Sequence, residues 1–118
     1  MKIRIKGNSL RLRLSQSEVS LISRQGKVVE YIKFPDTTLT YELISHPGNE
    51  IEAAYVMNKI TVSVPQNILE RWSGTDEVGF DSHISINDHE SLYILVEKDF
   101  KCYVERGEDE SDLFDPPS

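Results

Sequence analysis

The sequence predicts a mainly β fold with two short helices, arranged as a small pseudo-symmetric barrel of two strand-strand-helix-strand-strand halves. Three observations predict it. Apolar and polar residues alternate over several short runs, the period-two signature of half-buried strands. A helix-start signal follows the first hairpin of each half. The apolar pattern of the first half returns fifty residues later, and such internal repetition constrains a fold before any single element does.

Taken in order, Ile3 and Ile5 alternate with Lys2, Arg4 and Lys6, while Leu10, Leu12 and Leu14 alternate with Arg11 and Arg13. Gly7-Asn8 stands between the two runs, and both residues tolerate the positive φ of a tight reversal. Residues 2–14 therefore read as a hairpin. Ser15-Gln16-Ser17-Glu18 has the capping-box form, worth about 1 kcal/mol to the helix it opens. That helix ends before Gly26 with Val19 and Ile22 on one face. Strands follow over 27–34 and 38–44, parted by the turn signal Pro35-Asp36.

A shift of fifty places Leu10 on Ile60, Leu12 on Val62, Leu14 on Val64, Val19 on Leu69, Ile22 on Trp72 and Val28 on Val78. Pro65 replaces the capping serine, where proline suits a first helical turn. Later strands are expected over about 77–86 and 91–96, parted by Asn87-Asp88-His89-Glu90. Residues 2–44 and 52–96 are thus the expected pseudo-repeats, joined by His46-Pro47-Gly48-Asn49, and together they would close one barrel. Leu10, Leu12, Leu14, Ile60, Val62, Val64 and Trp72 are the expected core.

A chain of 118 residues with 38% hydrophobic content is about one domain long. We place that domain at 1–104 and read 105–118 as an acidic, flexible tail. No apolar run reaches membrane-spanning length and no secretory signal opens the chain. With a single cysteine, Cys102, a cytoplasmic location is expected. The net charge of −7 disfavours a general nucleic-acid binder, which needs surplus cations for phosphates. Charge is nonetheless uneven. Lys2, Arg4, Lys6, Arg11 and Arg13 form a basic head, and Glu108, Asp109, Glu110 and Asp112 belong to an acidic tail.

Asp81, His83, His89 and Glu90 offer metal-compatible atoms, but their spacing lacks the density of a ligand set, and we read them as a solvated loop. His46 reads as a surface turn residue. Cys102 shares parity with Ile94, Val96 and Phe100 and reads as a core side chain rather than a nucleophile. No serine sits in a nucleophile elbow and no glycine loop would cradle phosphate. The expectation is a noncatalytic protein without metal or cofactor.

The stretches "KIRIKGNSLRLRLSQSEV" and "ITVSVPQNILERW" resemble the AbrB/MazE-type swapped-hairpin units, over at most residues 2–34 and 52–84. In that family two chains pair to complete one barrel, and its members include transcription regulators and antitoxins. The whole chain, including "VEKDFKCYVERGEDESDLF", is similar to a family of short uncharacterised bacterial proteins, which implies no function. The chain departs from the regulators in being acidic, and in carrying Thr61 and Ser63 where the second half would repeat Arg11 and Arg13. Twofold operator reading needs two equivalent surfaces. The resulting expectation is a protein-binding or regulatory module, monomeric or weakly dimeric, whose partner meets Lys2, Arg4, Lys6, Arg11 and Arg13. Glu108, Asp109, Glu110 and Asp112 are expected to lie against Arg4, Arg11 and Arg13 until a better acidic partner displaces them. The alternatives are a DNA-binding regulator using the same hairpin and, more remotely, a small hydrolase.

Overall fold

A computed structural model of the protein describes residues 1–101 and 110–116. The expected hairpin forms as β1 (Lys2–Lys6) and β2 (Ser9–Leu14), turning through Gly7 at φ 53°. Helix α1 (Gln16–Gln25) carries the full capping box: the Ser15 hydroxyl accepts from the Glu18 N–H, and Glu18 Oε1 accepts from the Ser15 N–H at 3.0 Å. Gly26 ends it at φ 74°, with its N–H on the Ile22 carbonyl at 2.9 Å. Strands β3 (Lys27–Lys33) and β4 (Thr38–His46) complete the first half.

The second half repeats that order as β5 (Glu52–Val56), β6 (Lys59–Pro65), α2 (Gln66–Gly74), β7 (Gly79–Ser85) and β8 (Ser91–Lys98). Pro65 closes β6 and precedes the helix at ψ 136°, so it stands at the cap position rather than inside the first turn. Alignment at a fixed fifty residues ends after α2. Val28 is buried but Val78 is 40% exposed, and the ladder instead sets Phe80 opposite Val96 as it sets Val28 opposite Leu43.

Each half divides itself between two sheets. The order is β1-β2-β8-β7 in sheet A and β3-β4-β6-β5 in sheet B. Hairpins from opposite halves join through the parallel pairs β2–β8 and β4–β6, with Leu12 opposite Val96 and Leu43 opposite Val62. The described strands therefore form two four-stranded sheets with open edges at β1, β7, β3 and β5, not the closed barrel expected. A barrel needs one continuous ladder, whereas each helix here carries the chain from one sheet to the other and ends the ladder behind it.

The inner faces share one core: Leu12, Leu14, Ile94 and Val96 from sheet A, Val28, Leu43, Val62 and Val64 from sheet B. Val19 and Ile22 of α1 and Leu69 and Trp72 of α2 seal one end. Trp72 is fully buried, meets Phe80 edge-on at 5.3 Å, and donates Nε1–H to the Val78 carbonyl at 3.0 Å. All four hairpin turns lie at the opposite end. There Leu10 and Ile60, expected in the core, are only half-buried, because no helix covers that end. None of the described helices is long and apolar enough to cross a membrane.

Candidate binding face

Strand pleating sets the five cations of the basic head on one surface. Lys2, Arg4 and Lys6 share parity in β1, and the register pairs Lys2 with Arg13 and Arg4 with Arg11, so all five occupy the outer face of sheet A, opposite the core-facing Leu12 and Leu14. Glu97 stands opposite Arg13 on β8 and one diagonal from Arg11. Its Oε1 accepts from Arg11 Nε at 2.6 Å and from Arg13 Nε at 2.9 Å. Lys2 Nζ lies 2.8 Å from the buried Asp99 carboxylate. Arg4 and Lys6 have no ion pair among the described residues. With Ser9, Arg11 and Tyr93 they border a shallow depression of about 190 Å³ on this face.

Asp81, His83 and Tyr93 lie on the same face. The Tyr93 hydroxyl donates to Asp81 Oδ2 at 2.9 Å, which raises the phenol above its ordinary value, and its ring lies 4.8 Å from that of His83. Asp81 and His83 are thus strand residues of β7, not loop residues, while His89 and Glu90 lie in the following turn with both N–H groups on Asn87 Oδ1. Among the described residues, no group of three or more His, Cys, Asp or Glu converges as a metal site. Cys102 lies outside the described residues. His46 ties its own turn, accepting at Nδ1 from the Gly48 N–H at 3.0 Å and bonding the Glu50 carbonyl through Nε2 at 2.8 Å.

Of the acidic tail, Glu108 and Asp109 lie outside the described residues. Glu110 accepts at its carbonyl from the Leu113 N–H. Asp112 meets the N-terminus of α1 rather than the arginines: its carboxylate takes the Ser17 N–H at 3.1 Å and the Ser17 hydroxyl at 2.5 Å. The Ser17 hydroxyl holds this carboxyl below its usual range, as expected where orphan helix N–H groups and the helix dipole favour an anion. Leu113 buries beside it, and Phe114 bonds the backbones of Asp99 and Lys101. Arg11 and Arg13 instead meet Glu97 of β8, and Lys2 meets Asp99 just beyond that strand, two carboxylates that sequence reading passed over.

The inner side of the same hairpin borders a second feature. An open groove of about 440 Å³ lies between the sheets at the turn end, lined by Ile5, Leu10, Leu39, Ala53, Tyr55, Ile60 and Leu92. Ile5 and Tyr55 are 61% and 67% exposed. Beyond Tyr55, the fully exposed Met57 holds φ 50°, in the β5–β6 turn at the place Gly7 takes in the first hairpin.

Sheet B offers no second basic face. Its outer surface carries Glu42, which accepts from the Thr61 hydroxyl at 3.0 Å and lies 3.5 and 3.7 Å from Lys27 and Lys59. A family model described as a family of unknown function (DUF7009) matches residues 1–118. Neither the curated proteins nor the solved structures contain a match to this chain.

Proposed function

The chain belongs to DUF7009, a family of unknown function, and we propose that it is a noncatalytic protein-binding module whose partner is an acidic protein segment. One observation carries this reading. A chain of net charge −7 gathers five cations on the outer face of one sheet and leaves Arg4 and Lys6 free of carboxylates among the described residues. Such a local field attracts and orients an acidic partner, while the negative remainder repels misplaced approach.

A protein segment fits better than a duplex. Arg11 and Arg13 already share Glu97, so few cations are left for phosphates. Thr61 and Ser63 occupy the positions in β6 that the arginines hold in β2, so a second reading head is lacking. The common element order and reciprocal pairing of the halves support a duplicated swapped-hairpin unit in which only the first copy keeps a basic face.

The test is a titration of the protein and of its Arg4→Glu/Lys6→Glu variant with a hexaglutamate peptide and with a 20-base-pair duplex, at low and moderate salt. The peptide should bind, weaken with salt and lose most of its affinity to the variant. Duplex binding with a log–log salt slope near −4, about five phosphate contacts, would establish the DNA-binding alternative instead. Peptide binding that survives both charge reversals would refute the assignment of this face.

A further inference from the structure

Strand β1 is an edge of sheet A, and it separates two unlike surfaces. On its outer side stand Arg4 and Lys6 beside the basic depression. On its inner side Ile5, 61% exposed, borders the apolar groove that runs to Tyr55 of β5. Between them lies the open backbone edge, and among the described residues no strand pairs with it.

We infer that the acidic partner segment binds as an added strand along the edge of β1, with Asp or Glu at alternate positions and Leu, Ile, Val or Phe between them. This rests on the protein-binding reading above. A strand joining this edge carries side chains with the same period of two as β1. One set projects over the outer face toward Arg4 and Lys6, and the other projects inward against Ile5 and into the groove. An acidic segment without the apolar set would leave the groove open, and an apolar segment without the acids would leave the cations unmatched. A second copy of β1 is a poor occupant, because cross-strand neighbours lie about 5 Å apart and Lys2, Arg4 and Lys6 would face their own kind. Cations on an edge strand discourage such self-pairing, and here the same cations select the opposite charge.

The test uses calorimetric titration of the intact protein with two seven-residue peptides of equal composition, four glutamates and three leucines, in alternating and in block order. The alternating peptide should bind at least tenfold more tightly. N-methylation of one alternate set of its amides should cost tenfold or more, while methylation of the other set is tolerated, because only one set faces the edge. Ile5→Asp, at an exposed position that leaves the fold intact, should weaken the alternating peptide and spare the block peptide. Amide exchange along β1 should slow when the alternating peptide binds. Equal affinity for the two peptides, both sensitive to Arg4→Glu, would overturn strand addition and leave the basic-face reading standing. Absence of any binding sensitive to Arg4→Glu would overturn both.

Discussion

Replacing Trp72 by alanine should remove much of the stability of the domain. The side chain is fully buried where α2 meets β7 and is seated edge-on against Phe80. A buried tryptophan withdraws roughly 200 Å² from water, and at about 25 cal/mol per Å² this is about 5 kcal/mol. A compact denatured state already hides part of that area, so about 3 to 5 kcal/mol is expected, in line with other aromatic truncations. That is a large share of the roughly 5 to 15 kcal/mol a domain possesses. Urea unfolding followed by far-UV circular dichroism is the assay. With a slope near 2 kcal/mol per molar, the midpoint should fall by about 2 M. Trp72→Phe keeps an aromatic ring but removes one of two donors to the Val78 carbonyl, which retains the Lys98 N–H at 2.9 Å, and gives up the buried area of the second indole ring, about 1 to 3 kcal/mol together. It therefore supplies a measurable intermediate where the alanine variant does not fold. A midpoint shift below about 0.5 M for either variant would refute the placement of Trp72 at the centre of the core.

Glu97→Gln should loosen sheet A by about 1 kcal/mol, since two half-exposed arginines lose their shared carboxylate. The same variant should bind hexaglutamate more tightly, which titration would show, because Arg11 and Arg13 become available. For Glu18, burial pulls the pKa up, but hydrogen bonds from the Met1 ammonium and from Ser15 outweigh it and hold the folded carboxyl below its ordinary value of 4.5. A lowered folded pKa gives stability that is fully present above the unfolded value and is lost as pH falls through the folded one. Thermal melts from pH 6 down to pH 3 should therefore fall more steeply for the parent chain than for Glu18→Gln, with the difference confined to pH below about 4.5. Met57→Gly should raise stability by several tenths of a kcal/mol up to about 1 kcal/mol, because glycine adopts the observed positive φ without steric cost. Lower stability on thermal unfolding would show that the exposed Met57 side chain holds the turn.

How far the site could be read in advance differs from residue to residue. The cations of β1 and β2 were legible as one face, since alternation assigns every second residue to the same side. The partners of Arg11 and Arg13 were not. Glu97 is 86 and 84 positions away from them, and its own neighbourhood shows only another alternating strand. The tail was legible as acidic, but its destination was not. Asp112 and Arg11 have complementary charges, yet the carboxylate sits at the α1 N-terminus, where two directed donors from Ser17 outweigh a screened attraction to surface cations.

By itself the sequence determined what is local: the period of two in the strands, the reversal at Gly7, the capping box at Ser15, the apolar faces of both helices. Each is set by contacts among residues a few positions apart and needs no knowledge of the rest of the chain. The tertiary structure alone decided that β2 lies beside β8 and β4 beside β6, so that the halves exchange hairpins and form two sheets instead of one barrel. Alternation says which side of a strand is apolar but not which strand will stand beside it. That choice depends on burying all the apolar faces at once, with both helices closing the same end, and this arrangement leaves β1 on an open edge between its cations and the groove.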